Sequence, residues 1–210
     1  MRIALLEGKE KRRVRLPYPA PEFMKEKRIA LIAGSSRGIG KGIADYLLSK
    51  GYFVHVTYYK DKDLIEKHFK NVAQTQIHYL DVGSEKSVKR IVQEVGKTSK
   101  KLHLLVNNAV IDYKIPIESL SFEQWEETFA VKVHGTFLMT KYCLPLLKAV
   151  KRATIINTTS SWAHETQPEF LAAAAAEAAK MNFTKTCAVA LAKYGVHTHS
   201  VNPGVTRTPL

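Results

Sequence analysis

The segment Ala33-Gly34-Ser35-Ser36-Arg37-Gly38-Ile39-Gly40 joins an apolar run at 28–33 to an amphipathic helical pattern at 38–50. Few connections restrict a fold so tightly. Without a Cβ, Gly34 allows a tight turn, Gly38 lets a pyrophosphate approach the backbone, and Gly40 lets the helix lie close to its neighbours. Ser36, Arg37 and Ile39 complete the turn, and the helix start directs unpaired N–H groups at the anion.

Strand-like and helical runs alternate along the rest of the chain. Strands are expected at 28–33, 53–58, 76–80, 102–107, 154–158 and 196–201. Helices are expected at 38–50, 84–98, 121–147 and 171–194, the last alanine-rich and closed by Gly195. Crossovers of this length imply a parallel sheet covered on both faces. The fold class is therefore α/β, a Rossmann-type doubly wound parallel sheet of three layers in a single domain. Its ligand crevice is expected at the strand C-terminal ends.

A formal net charge of +13 over 210 residues raises the question of a nucleic-acid partner. The distribution of that charge argues against one. The one tight basic cluster, Lys9 to Arg15, precedes the patterned region, in a stretch that runs through Pro17, Pro19 and Pro21 to Phe23 before Met24. Residues 1–23 read as an appended leader or flexible arm and 24–210 as the domain. No apolar run reaches the roughly 20 residues that span a bilayer, so no membrane partner and a cytoplasmic location are expected. Cys143 and Cys187 lack Cys-x-x-Cys spacing and read as reduced packing residues. His197 and His199 have no evident third ligand, and no metal is expected.

Five further motifs follow in order. They are Leu80-Asp81-Val82, Asn107-Asn108-Ala109, Gly135 in the long helix, Asn157 to Ser160, and Asn202-Pro203-Gly204. With the glycine turn, the set resembles the short-chain dehydrogenase/reductase family, particularly its 3-oxoacyl-acyl-carrier-protein reductases, from about Lys27 to Leu210. The resemblance implies Asp81 and Val82 at a cofactor's adenine, Asn108 and Ala109 along the cleft, and Pro203, Gly204 and Thr208 near the nicotinamide. Ala33 departs from the usual Thr, and Val110 from the last Gly of Asn-Asn-Ala-Gly. An NAD-specific site has an acidic residue at the end of the second strand. This chain has Tyr58 there, then Tyr59 and Lys60. Lys60 and Arg37 suit a 2′-phosphate, so NADP(H) is the cofactor expected.

The resemblance fails at the reacting groups. The family uses a Ser to position a substrate carbonyl, a Tyr to protonate it, a Lys to depress the Tyr pKa and hold the ribose, and an Asn to support a water. Ser160 matches the first, whereas Ala173, Glu177 and Lys132 occupy the Tyr, Lys and Asn positions. A positioned general acid contributes about 10²- to 10⁴-fold. Ala173 has no proton to give, and Glu177 reverses the charge that would stabilise a phenolate. The resemblance puts Lys132 and Glu177 on facing helices, so they are expected to pair, and the charge of Glu177 is expected to favour the oxidised nicotinamide. Tyr113 and His164 are candidate replacement acids that read more simply as wall or solvent-facing residues, and Trp162 either lines the pocket or packs.

Three functions stay open at this stage. The first is a carbonyl/alcohol oxidoreductase lineage, inactive or strongly impaired by divergence or engineering, acting on a small-molecule carbonyl or alcohol if active. The second is a non-catalytic NADP-binding regulator or scaffold, and the third a nucleic-acid binder using the basic leader. Family members continue past Pro203-Gly204 into a substrate-covering segment and a last strand that this chain is expected to lack. A homodimer through the helices at 121–147 and 171–194 is expected to survive.

Overall fold

All five side chains of β1 (Ile29–Ala33) are buried, Leu31 and Ala33 in one apolar cluster and Ala30 and Ile32 in another. The two-residue period sends successive side chains to opposite faces, and burial on both marks a central parallel strand. The computed structural model describes residues 27–208; the expected leader at 1–23 lies outside them. β1 is joined by β2 (Phe53–Tyr58), β3 (Thr75–Tyr79), β4 (Leu104–Asn107), β5 (Ala153–Thr158) and β6 (Val196–Val201). All neighbouring pairs are parallel, in the order β3-β2-β1-β4-β5-β6.

Helices close both faces. α1 (Gly38–Ser49) and α2 (Lys62–Phe69) supply Ala44, Leu47, Ile65 and Phe69 to one cluster. α3 (Glu85–Ser99), α5 (Gly135–Lys148) and α6 (Leu171–Ala192) bring Val88, Ile91, Val95, Met139, Cys143 and Leu191 to the other. This is the expected three-layer doubly wound sheet. Burial pushes the Cys143 thiol up to about 12, while Cys187 is only half-buried.

Two elements differ from the sequence reading. α2 was not expected: eight residues with two inward apolar side chains, Ile65 and Phe69, give too short a periodic signal. The expected helix at 121–147 is three pieces, α4 (Phe122–Phe129), a π-helical turn (Ala130–His134) and α5. Gly135 N–H donates to Ala130 O in that turn, adding one residue to the helical repeat. Gly135 itself is fixed by packing, because a Cβ there would lie 2.8 Å from Val82 Cβ.

A buried polar chain ties β2 and β3 to α3. His55 Nδ1 lies 3.0 Å from His78 Nε2, His55 Nε2 2.8 Å from Ser99 Oγ, and His78 Nδ1 2.9 Å from Glu94 Oε2. Burial, with His78 beside it, brings the His55 pKa down from 6.5 to about 3; burial also lowers that of His78, against the pull of Glu94. Between those values the unfolded chain binds the proton that the folded chain refuses, so stability rises with pH and is lost as pH falls below 6.5. Denaturant unfolding at pH 5 is expected to give about 2 kcal/mol less stability than at pH 7.5 from His55 alone. His55→Phe should flatten that dependence.

Candidate active site

Loops at the C-terminal ends of the strands enclose a cavity of about 890 Å³ beside the β1–β4 junction, where the strand order reverses. Gly34, Ser36, Arg37, Gly38, Ile39, Tyr58, Lys60, Asp81, Val82, Asn108, Ala109, Pro203, Gly204 and Thr208 line it, as do Lys132, Ser160 and Glu177. Two of the expected positions do not. Gly40 is buried beneath the turn, where a Cβ would meet Gly34 O at 1.9 Å, and Ala173 is buried in α6 with 1% exposure.

The turn is held from two sides. Gly34, with φ +79°, donates its N–H to Thr57 Oγ1 at 2.9 Å, and Thr57 N–H donates to Ser35 Oγ at 2.7 Å. From β4, Asn108 Nδ2 donates to Gly34 O at 2.8 Å. α1 then starts at Gly38 with no side-chain cap and no acidic residue in its first turn, so its N–H groups and dipole are left for an anion. A pyrophosphate fits this cradle. Arg37 pairs with Asp61 at 3.8 Å, both side chains well exposed. Such a pair is worth about 0–1 kcal/mol, so Arg37 is free to turn to a phosphate. At the same end, Tyr58 and Tyr59 pack against Tyr79, with Lys60 over the Tyr59 ring.

The other end of the cavity holds buried charges. Lys132, in the π turn, is 1% exposed, and its Nζ lies 2.8 Å from both Glu177 Oε1 and Asp112 Oδ1. The pairing of Lys132 with Glu177 expected from the sequence is thus present, but in a larger group. Lys180, one helical turn after Glu177, reaches Glu177 Oε2 at 3.1 Å with both side chains almost fully buried. Burial pushes the Lys180 ammonium below its ordinary range, with Glu177 opposing the shift. Two cations and two carboxylates sum to zero. Desolvating each ion costs several kcal/mol, so the group is tolerable only while every charge keeps its partner.

α6 packs through Ala173, Glu177, Lys180 and Thr184, all buried at helical spacing. The hydrogen bonds Asn107 Nδ2 to Asn157 Oδ1 and Asn157 Nδ2 to Thr184 Oγ1, both 2.8 Å, join this stripe to β4 and β5. Ser160 follows β5 as the cap of a short 3₁₀ turn, its Oγ accepting from Trp162 N–H at 3.3 Å, and Trp162 stacks on Phe170. Tyr113 and His164 do not line the cavity. The Tyr113 hydroxyl donates to Glu127, which drives its pKa up.

Sequence reasoning missed Asp61, Asp112 and Lys180. Lys180 was legible as the i+3 neighbour of Glu177. Asp112 was not, because only the folded loop brings it to Lys132. Among the described residues no group of three or more His, Cys, Asp and Glu is placed to hold a metal ion, and no helix is long and apolar enough to cross a membrane.

Residues 28–210 match the family model described as short chain dehydrogenase. The chain is 30% identical over 211 residues to glucose and ribitol dehydrogenase homolog 2 of Arabidopsis thaliana, covering 91% of this chain and 72% of that protein. It is similar to the solved Pseudomonas aeruginosa RhlG/NADP active-site complex, with TM-score 0.83, 27% identity, and coverage of 90% of this chain and 77% of that one. The 3-ketoacyl-(acyl-carrier-protein) reductase of Brucella melitensis complexed with NADH gives TM-score 0.83 and 27% identity over 88% of this chain and 78% of that one.

Proposed function

Because the chain belongs to the short-chain dehydrogenase family, we propose that it binds NADP(H) in this cleft and is a carbonyl/alcohol oxidoreductase with strongly impaired turnover. One observation carries the reading: the glycine cradle and basic residues line one end of the cavity, and the paired Lys132 and Glu177 line the other, where the family resemblance puts its reacting groups. Solved relatives of similar fold hold NADP, which supports the same cofactor here.

Gly34, Gly38 and the start of α1 would hold the pyrophosphate, Asp81 and Val82 the adenine, and Pro203 to Thr208 the nicotinamide end. When bound, the nicotinamide supplies or accepts a hydride. Ser160 is left to orient a substrate oxygen. Glu177 does not bias the cleft toward the oxidised cofactor as its lone charge would, because Lys132 and Lys180 neutralise it.

Charge-assisted hydrogen bonds are worth about 1.5–3 kcal/mol each, so removing one from a 2′-phosphate weakens binding roughly 10-fold or more. Arg37→Ala and Lys60→Ala are each expected to raise the Kd for NADPH by that factor and to leave the Kd for NADH nearly unchanged. Equal losses for both cofactors would count against the assignment.

A second reading, a non-catalytic NADP-binding regulator, is favoured by the closed ion cluster at the reacting end. Absence of turnover on a broad carbonyl panel, with the cofactor bound, selects it. Exposed Phe122, Phe137 and Val189 on α4, α5 and α6 support the homodimer.

A further inference from the structure

We propose that Lys132 is the proton donor of this cleft, a catalytic residue at a site left without its tyrosine. The inference rests on the NADP(H)-dependent carbonyl reduction proposed above. Lys132 is carried inward by the π turn and lines the cavity together with Ser160. Its ammonium has three N–H bonds. Glu177 Oε1 accepts one of them and Asp112 Oδ1 pairs with the ammonium, each at 2.8 Å, and no third partner is present among the described residues.

The competing donors are worse placed. Tyr113 gives its hydroxyl to Glu127 and, like Lys180 and His164, does not line the cavity. Ordinary amines and phenols are acids of similar strength, with pKa values of roughly 10.4 and 10. An ammonium N–H at this place is therefore a donor of the same kind as a phenol O–H.

A dihydronicotinamide held beside Pro203, Gly204 and Thr208 would supply the hydride to the carbonyl carbon and leave as the oxidised form. As that C–H bond forms, the π pair of the C=O bond moves to oxygen. The oxygen takes the unpartnered proton of Lys132 Nζ, and the N–H bonding pair stays on nitrogen. The products are an alcohol and a neutral amine. Asp112, whose side chain is 34% exposed, connects the amine to solvent for reprotonation.

Lys132→Arg tests this. Arginine keeps a cation for Asp112 and Glu177, but a guanidinium does not release its proton. The variant is expected to keep the thermal midpoint of the free protein and an NADPH Kd within about 2-fold, while reduction of a panel of aldehydes and ketones falls at least about 100-fold. A merely structural lysine predicts no such loss. Should Lys132→Arg fail to fold, Asp112→Asn substitutes for it, with turnover expected to fall about 10-fold at an unchanged NADPH Kd. Wild-type turnover in a folded variant overturns the proposal, and so does a wild-type protein that binds NADPH and reduces nothing. A wild-type protein that does not bind NADPH overturns the cofactor reading beneath it.

Discussion

Introducing the two residues that the family resemblance places at the reacting site, Ala173→Tyr with Glu177→Lys, is expected to destabilise the protein rather than to raise turnover. Glu177 bonds Lys132 and also pairs with Lys180, all three side chains almost fully buried. A lysine at 177 puts three ammonium groups around the single carboxylate of Asp112. Breaking a buried pair leaves an uncompensated charge and costs about 3–5 kcal/mol. That is a large part of the 5–15 kcal/mol that usually holds a domain folded. Ala173 is packed at 1% exposure, so a tyrosine there also needs its ring accommodated.

Adding Lys132→Asn and Lys180→Met to those two changes removes both surplus cations. The fourfold variant is expected to regain the lost stability and to exceed the Lys132→Arg variant, which has no acid, by about 10²- to 10⁴-fold in carbonyl reduction, the range for a positioned acid. Denaturant unfolding and steady-state turnover on the same samples separate the two effects. A double variant as stable as the wild type would mean that the cluster is not a single electrostatic unit.

Glu177→Gln gives the second large effect. The amide keeps the shape of the side chain but leaves Lys180 without a counter-charge and Lys132 with Asp112 alone. A loss of about 3–5 kcal/mol is expected by denaturant unfolding. Lys180→Met in the Glu177→Gln background should recover most of it, because an apolar chain of similar length replaces an unpaired ion. The two changes therefore should not add. Additive losses would place Lys180 outside the network, since residues sharing one partner couple by about 0.5–3 kcal/mol.

Much of this was legible in the chain. The glycine turn and the alternating apolar runs specify the sheet because each imposes a local geometry: a positive φ at Gly34, close approach at Gly40, and two-faced burial along β1. The dinucleotide end follows from that order, since its residues stand directly after successive strands. α2 escaped because two inward side chains make no period. The π turn escaped because its extra residue leaves no local mark, although Gly135 beside Val82 fixes where the helix must come close. The family resemblance, which puts Lys132 and Glu177 on facing helices, paired them. Asp112 joined them only through the path of the loop after β4, and its role depends on contacts that no sequence interval encodes.

An NADP(H)-binding cofactor end beside the ion cluster of Lys132 and Glu177 can be tested on the wild-type protein. Equilibrium titration of the wild-type protein with NADPH and with NADH, followed by nicotinamide fluorescence, tests it most directly. Saturable NADPH binding at least about 10-fold tighter than NADH binding is expected, as charge-assisted bonds to one extra phosphate require. No saturable NADPH binding, or NADH bound equally well, would contradict it.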